Sequence, residues 1–219
     1  MTRPLLIIGG GGHGKVLIAS LKRAGRSVVG VFDTDQTLQK KNILGVPVFV
    51  SDQIFEEYDV TGMDLVLGIG FVGANNYRRR IFQKYKRQGY QFASVVDPSS
   101  VISSDVKIEE GVQVLAGCVV QPGALIGSNT IINTGASIDH DCHIGAHAHI
   151  APGAVICGGV TLGNNGFVGS GATVIQSVSI GQGSVVAAGA VVIRDVPENS
   201  CVAGVPAEQI LKHKKIADN

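Results

Sequence analysis

Tryptophan is absent, and aromatic residues make up only 5 % of the 219 positions. So little ring volume argues against a helical bundle or a β-sandwich, whose cores draw more heavily on aromatic side chains. Charge of one sign is also lacking: 18 Lys and Arg face 17 Asp and Glu, a net +1. That balance excludes the electrostatic footprint of a nucleic-acid or anionic-membrane binder. The opening MTRPLLIIGG turns to glycine too soon for a signal peptide or a membrane span. A cytoplasmic protein is expected. Cysteines number four, and neither Cys157 nor Cys201 has metal-like spacing. All four are expected to be reduced and structural, with Cys118 and Cys142 as small apolar fillers.

What is present in excess is order of a single kind. From Ile102 to Val192, every sixth residue is aliphatic, without a skipped step. Four places after each comes a second row, from Val106 to Val196, that is small or aliphatic throughout. A period of six in phase over such a length marks a repeat architecture. Helices repeat near 3.6 residues and simple strands near 2, so neither holds this row. The unit expected is one short strand and one turn, with a large side chain inside and a small one at the corner. Gly, Asn, Asp and Ser between the rows supply the turns.

Before the repeat, the chain reads as α/β. Pro4 to Ile8 is a buried-strand run, Gly9 to Gly14 a glycine loop, Lys15 to Ala24 a helix and Ser27 to Phe32 a second strand. Glycines at 9, 11 and 14 match G-x-G-x-x-G, with Asp33 at the distance of a ribose-binding acid. Only one such half fits before the repeat, so a full dinucleotide fold is excluded. The loop still offers backbone N–H groups at a helix N-terminus, suited to phosphate oxygens. Short strands are also expected at Gly45–Val48, Asp64–Ile69 and Gln91–Val96, with a basic helix at Tyr77–Gln88. Asp97-Pro98-Ser99 hands over to the repeat. The expected division is 1–97 and 98–219.

Within the repeat, His140-Asp141 stands on neither inward row. An Asp beside a His favours the imidazolium and so strengthens the ring as a base.

Three stretches carry a family resemblance: Ile8-Gly9-Gly10-Gly11-Gly12-His13-Gly14-Lys15-Val16, Ile132-Asn133-Thr134-Gly135-Ala136-Ser137-Ile138-Asp139-His140-Asp141-Cys142, and Ala203-Gly204-Val205-Pro206-Ala207. The repeat resembles the hexapeptide acyltransferases, which implies a left-handed parallel β-helix of about five coils, three hexapeptides to each, and so Gly158 stacked over His140. The whole chain resembles the bacterial N-acetyltransferases of nucleotide-linked amino sugars and their sialic-acid O-acetyltransferase relatives. The resemblance implies acetyl-CoA as co-substrate, a nucleotide-diphosphate amino sugar as acceptor through its C4 amine, no metal, and a homotrimer with sites between neighbouring helices. It makes His140 the general base, Asp141 its orienting acid and the Gly158 N–H the oxyanion donor. It places Gly11, Gly12, His13, Asp33, Gly70 and Asn133 at the sugar nucleotide, and His149, Gly158, Ser170 and Ala188 at the cofactor. His143 and His147 have no matching role and are expected in exposed turns. The chain departs from the family by an insertion at Phe71–Asn75 and by Glu208 where Lys or Arg is usual. Three other readings compete: transfer to a sugar hydroxyl, a zinc enzyme built on the His140–His149 run, and a non-enzymatic nucleotide-sugar-binding trimer.

Overall fold

The structure is a computed structural model that describes residues 3–57, 60–71 and 76–210. Residues 72–75 of the insertion and 211–219 of the C-terminal tail lie outside the described residues.

The N-terminal part is built on β1 (Leu5–Ile8), whose four aliphatic residues are all buried. Helices on both faces explain the continuous apolar run. Leu5 and Ile7 pack with Leu17, Ile18 and Leu21 of α1 (Gly12–Arg23). Leu6 and Ile8 point the other way, into an aromatic layer with Phe82, Tyr85, Tyr90 and Phe92. β1 pairs in parallel with β2 (Val28–Phe32) and β5 (Asp64–Leu67). β4 (Val46–Phe49) extends the sheet in parallel beside β2, after a hairpin from β3 (Asn42–Ile43). Two short elements complete this part: α2 (Ile54–Glu57) and α3 (Tyr77–Arg87).

Most boundaries shift by one or two residues, and two depart further from the sequence expectation. α1 begins at Gly12, not Lys15, because glycines tolerate the first turn when no side chain must be placed there. The strand expected at Gln91–Val96 is divided. Phe92 bridges Leu65, while β6 (Val95–Val96) joins the sheet of the repeat instead.

The repeat forms a parallel β-helix of two-residue strands on three faces. Pairing of Val101 with Val119 sets one coil at eighteen residues. The first face carries β6 and the strands of Gln113, Ile131, His149, Phe167 and Val185. The second carries those of Val101, Val119, Ser137, Val155, Thr173 and Val191. The third carries those of Lys107, Leu125, His143, Thr161 and Ser179. Both inward rows fill one continuous core, Cys118 and Cys142 included. Each coil turns its corners through a residue of positive φ. Gly fills many of these sites, but Asn129, Asp141, His147, Asn165 and Ser177 fill others. Asn and Asp accept the left-handed region at least cost after glycine.

The α/β part rests on the first face. Its outward row, Val95, Gln113, Ile131, His149 and Phe167, is buried beneath it. Asp97, at the junction, has no exposed side-chain surface and accepts from Ser20 Oγ at 2.6 Å and from the Arg23 guanidinium. Burial opposes its charge, but Arg23, Ser20 and Ser99 outweigh that and hold the carboxyl well below the usual carboxylate range. The C-terminal end of α1 is thereby locked to the first coil.

Ile150 is fully buried in the helix core. Ile150→Ala should lower unfolding free energy by about 2–5 kcal/mol through the cavity it leaves, measured by denaturant titration; a change under about 1 kcal/mol would mean that the stacked coils collapse around the gap.

Candidate active site

Two separate constellations emerge. The first is a cavity of about 380 Å³ at the C-terminal ends of β1, β2 and β5. Gly11, Gly12, His13, Asp33 and Gly70 all line it, as the sequence reading expects. The glycines of this loop divide by task. A Cβ on Gly14 would strike the Gly9 carbonyl, so Gly14 serves helix–strand packing. Among the described residues, Gly11 and Gly12 would meet no atom within 4 Å. Their open side is the cavity, at the N-terminus of α1, whose N-cap Gly11 supplies no side-chain acceptor. First-turn N–H groups are thus left for a ligand.

Asp33 also has partners within the protein. One carboxylate oxygen accepts from the Gly10 N–H at 2.6 Å and the other from the Asp35 N–H at 3.0 Å. It braces the glycine loop. Tyr77, Ile81, Lys84 and Tyr85 of α3 close the far wall, and sequence reading had assigned none of them. α3 was legible only as a basic helix, and no local signal tells where a distant helix docks. The signal that was available lay in the repeat. The outward row of the first face reads Val, Gln, Ile, His, Phe, Val from residue 95 to 185 in coil steps. So apolar an outward row must be covered, and its polar members, Gln113 and His149, must then be buried with partners.

His13 Nε2 lies 2.7 Å from Gln113 Oε1, while Gln113 Nε2 donates to Leu67 O at 2.9 Å. Arg78, only 1 % exposed, donates to Leu67 O at 2.8 Å and Ile69 O at 2.6 Å. Burial first, and the Arg78 charge second, push the His13 pKa down to about 4.

His149 lies on the first face, under the α/β part. It is 6 % exposed, with Nδ1 at 2.8 Å from Phe71 O and Nε2 at 3.1 Å from Asn133 Nδ2. Both ring nitrogens are therefore engaged, and Phe71 and Phe167 pack against the ring. Burial pushes its pKa down to about 4. Asn133 is committed as well, since its Oδ1 accepts from the Thr134 N–H at 2.8 Å. Asn133 thereby braces the corner loop and meets His149, and its second amide N–H is not taken by these bonds. His147 is not exposed as expected: it is half-buried, bonded to Asn129 and edge-on to Phe82. His143 is exposed on the third face.

The second constellation is at the corner between the second and third faces. His140 Nδ1 lies 2.9 Å from Asp141 Oδ2, with side chains 62 % and 74 % exposed. The hydrogen bond to Asp141, then the Asp139 charge, raises the His140 pKa above its ordinary value. Nδ1–H donates to the carboxylate, which leaves Nε2 as the basic nitrogen. Neighbouring coils make room for both side chains. A Cβ on Gly158 would stand 2.6 Å from His140 Nε2, and one on Gly123 would collide with Asp141 Oδ1. Among the described residues, no acceptor takes the Gly158 N–H. Ser170 and Ala188 are exposed at a different corner, between the first and second faces. A groove of about 1000 Å³ runs along the third face past Leu125, His143 and Thr161. Among the described residues, no helix is long and apolar enough to cross a membrane.

Family models match both parts of the chain. The PglD N-terminal domain covers residues 4–85. The bacterial transferase hexapeptide model covers 105–140, 123–158 and 141–176, and the succinyl-transferase hexapeptide model 159–194. A histidine-to-alanine variant of GDP-perosamine N-acetyltransferase from Caulobacter crescentus, solved with CoA and GDP-perosamine, is 38 % identical. The match covers 95 % of this chain and 97 % of that one at a TM-score of 0.86. This chain belongs to the hexapeptide-repeat nucleotide-sugar N-acetyltransferase family. The acetyltransferase domain of PglB from Neisseria gonorrhoeae FA1090 is 33 % identical, at a TM-score of 0.87 over 95 % of this chain and 100 % of that one. The same domain has been solved with acetyl coenzyme A.

Because Gly11 has open space beside it among the described residues, Gly11→Val should leave the melting temperature unchanged and weaken binding of a nucleoside diphosphate by at least about tenfold. Calorimetry with UDP, GDP, dTDP and CDP beside a thermal melt checks this; undiminished affinity for whichever of them binds would remove the loop from the ligand site.

Proposed function

We propose that this protein transfers the acetyl group of acetyl-CoA to the amine of a nucleotide-linked amino sugar, with His140 as general base. The observation that carries the reading is the His140–Asp141 pair lodged against Gly158, in a chain whose glycine-loop cavity suits a nucleoside diphosphate. An ammonium cannot attack a thioester. His140 Nε2 takes the proton that the amine must lose, and Asp141 holds the ring and stabilises the imidazolium. The free Gly158 N–H meets the oxyanion that develops on the thioester carbonyl as the C–N bond forms; collapse of that intermediate breaks the C–S bond, and the CoA thiolate leaves with the proton held on the His140 imidazolium. The sugar nucleotide is held by Gly11 and Gly12 at the diphosphate, beside His13 and Gly70. Acetyl-CoA lies at the exposed corners, with Ser170 and Ala188 at one of them.

The topology supports a site shared between copies. The cavity sits over the first face, whereas His140 occupies the one corner that this face does not border. In a single chain the base and the sugar are on opposite sides of the prism. A second copy must bring its cavity to this His140, and three flat faces suit closure about a threefold axis. An amine acceptor agrees with the GDP-perosamine bound by the Caulobacter protein. Incubation with GDP-perosamine and acetyl-CoA should yield a product heavier by one acetyl group; inertness across nucleotide amino sugars would overturn the reading.

His140→Ala should lower kcat by about 10²–10⁴ while both substrates still bind. Because Asp141 raises the imidazole pKa, neutral base appears only as pH rises through a value above the ordinary one. The kcat profile should therefore climb with pH, and Asp141→Asn should move that limb to lower pH at a smaller cost than His140→Ala. A shared site also permits complementation. Co-expressed His140→Ala and Gly11→Val chains, assayed at a sugar-nucleotide concentration well below the KM of the Gly11→Val chain so that each is nearly inactive alone, should regain roughly a quarter of the wild-type sites by random mixing. No recovery in mixed oligomers would confine the site to one chain.

A further inference from the structure

The cavity wall contains a histidine whose proton has been assigned by its neighbours. We propose that Gln113, reaching out from the β-helix, fixes His13 in its Nε2–H tautomer and so presents the Nδ1 lone pair to a hydrogen-bond donor on the sugar. This rests on the nucleotide-sugar reading above and makes Gln113 a positioning residue for it.

The orientation of Gln113 is decided by Leu67 O. That carbonyl already receives Arg78 Nη1 at 2.8 Å and takes the Gln113 amide N–H at 2.9 Å. A flipped amide would set oxygen against oxygen in a site where Gln113 is 1 % exposed. Its Oε1 therefore faces His13 Nε2 at 2.7 Å. A carboxamide oxygen only accepts, so the hydrogen is on Nε2 and Nδ1 is left as an acceptor. Among the described residues, no donor takes Nδ1, and His13 lines the cavity beside Gly70.

A second proton on the ring is disfavoured from several sides. Burial and the fully enclosed Arg78 of α3 act together, and His149 on the first face adds no negative charge. Asp33 is committed to the Gly10 and Asp35 N–H groups. Lys84, Tyr77 and Tyr85 make up the other titratable lining. His13 stays neutral at any pH well above about 4, including the range in which His140 gains and loses its proton. The sugar position facing Nδ1 must then carry a hydroxyl or amine. A carboxylate there would meet a lone pair and be turned away, so the site selects neutral or amino sugars over acidic ones.

NMR of ¹⁵N-histidine-labelled, ligand-free protein tests the tautomer directly. The expected result is a neutral His13 with its hydrogen on Nε2 from about pH 8 down to about pH 5. Gln113→Glu replaces the amide with a carboxylate that favours the imidazolium. Nδ1 then becomes a donor, and KM for GDP-perosamine should rise roughly tenfold near neutral pH with kcat little changed. That rise should shrink as the pH is raised and the ring loses its proton. A wild-type His13 protonated on Nδ1, or a Gln113→Glu variant with unaltered KM and unaltered pH dependence, would overturn the proposal. If Gln113→Glu does not fold, the wild-type spectrum decides alone. The spectrum needs no substrate, so failure to acetylate any nucleotide sugar would overturn the functional reading and leave the tautomer separately judged.

Discussion

Everything in this molecule depends on vertical register. Each coil lays its backbone on the one below, with the Asp141 N–H bonded to Pro122 O and the Gly159 N–H to His140 O. A residue therefore has two neighbours that are fixed without any choice of rotamer: the residues one coil up and one coil down. The candidate base uses this. Gly158 above His140 and Gly123 below Asp141 are vacancies in the stack, and the imidazole and carboxylate fill them. Preorganisation here comes from backbone geometry, with little help from surrounding side chains.

That regularity made the fold legible. A six-residue period declares strand, turn and interior at once, so the repeat and its inward rows follow from spacing, and the family resemblance supplies the β-helix. With eighteen residues to a coil from that resemblance, the stacking of Gly158 on His140 follows from counting. The corner column of positive φ was less visible, because five of its positions hold Asn, Asp, His or Ser where glycine would have signalled the conformation. Asp141 is one of these. The left-handed backbone that turns the corner also aims its carboxylate at the neighbouring imidazole.

The sugar-nucleotide cavity was legible only by half. The glycine loop announces itself in consecutive residues. Its other wall comes from α3 and from the first face of the repeat, and that contact is a matter of docking. Arg78 looked like one more charge in a basic helix. It is instead buried, holding the carbonyls at the end of β5. Asp33, His149 and Asn133, residue types that suit a ligand, also meet the protein's own polar groups. Buried donors and acceptors must be satisfied somewhere, and here the nearest partners are internal.

The coil also sets the unit of permissible change. Insertions of other than whole hexapeptides would turn the inward rows outward. Six residues added between Asp141 and Pro152 would keep every aliphatic side chain inside, and the stack would still close. They would also advance all that follows by one face. Pro152 would then stand over His140, and a ring would occupy the vacancy that glycine leaves. Such a protein keeps its architecture and loses its chemistry, because the fold counts in sixes and the site counts in eighteens.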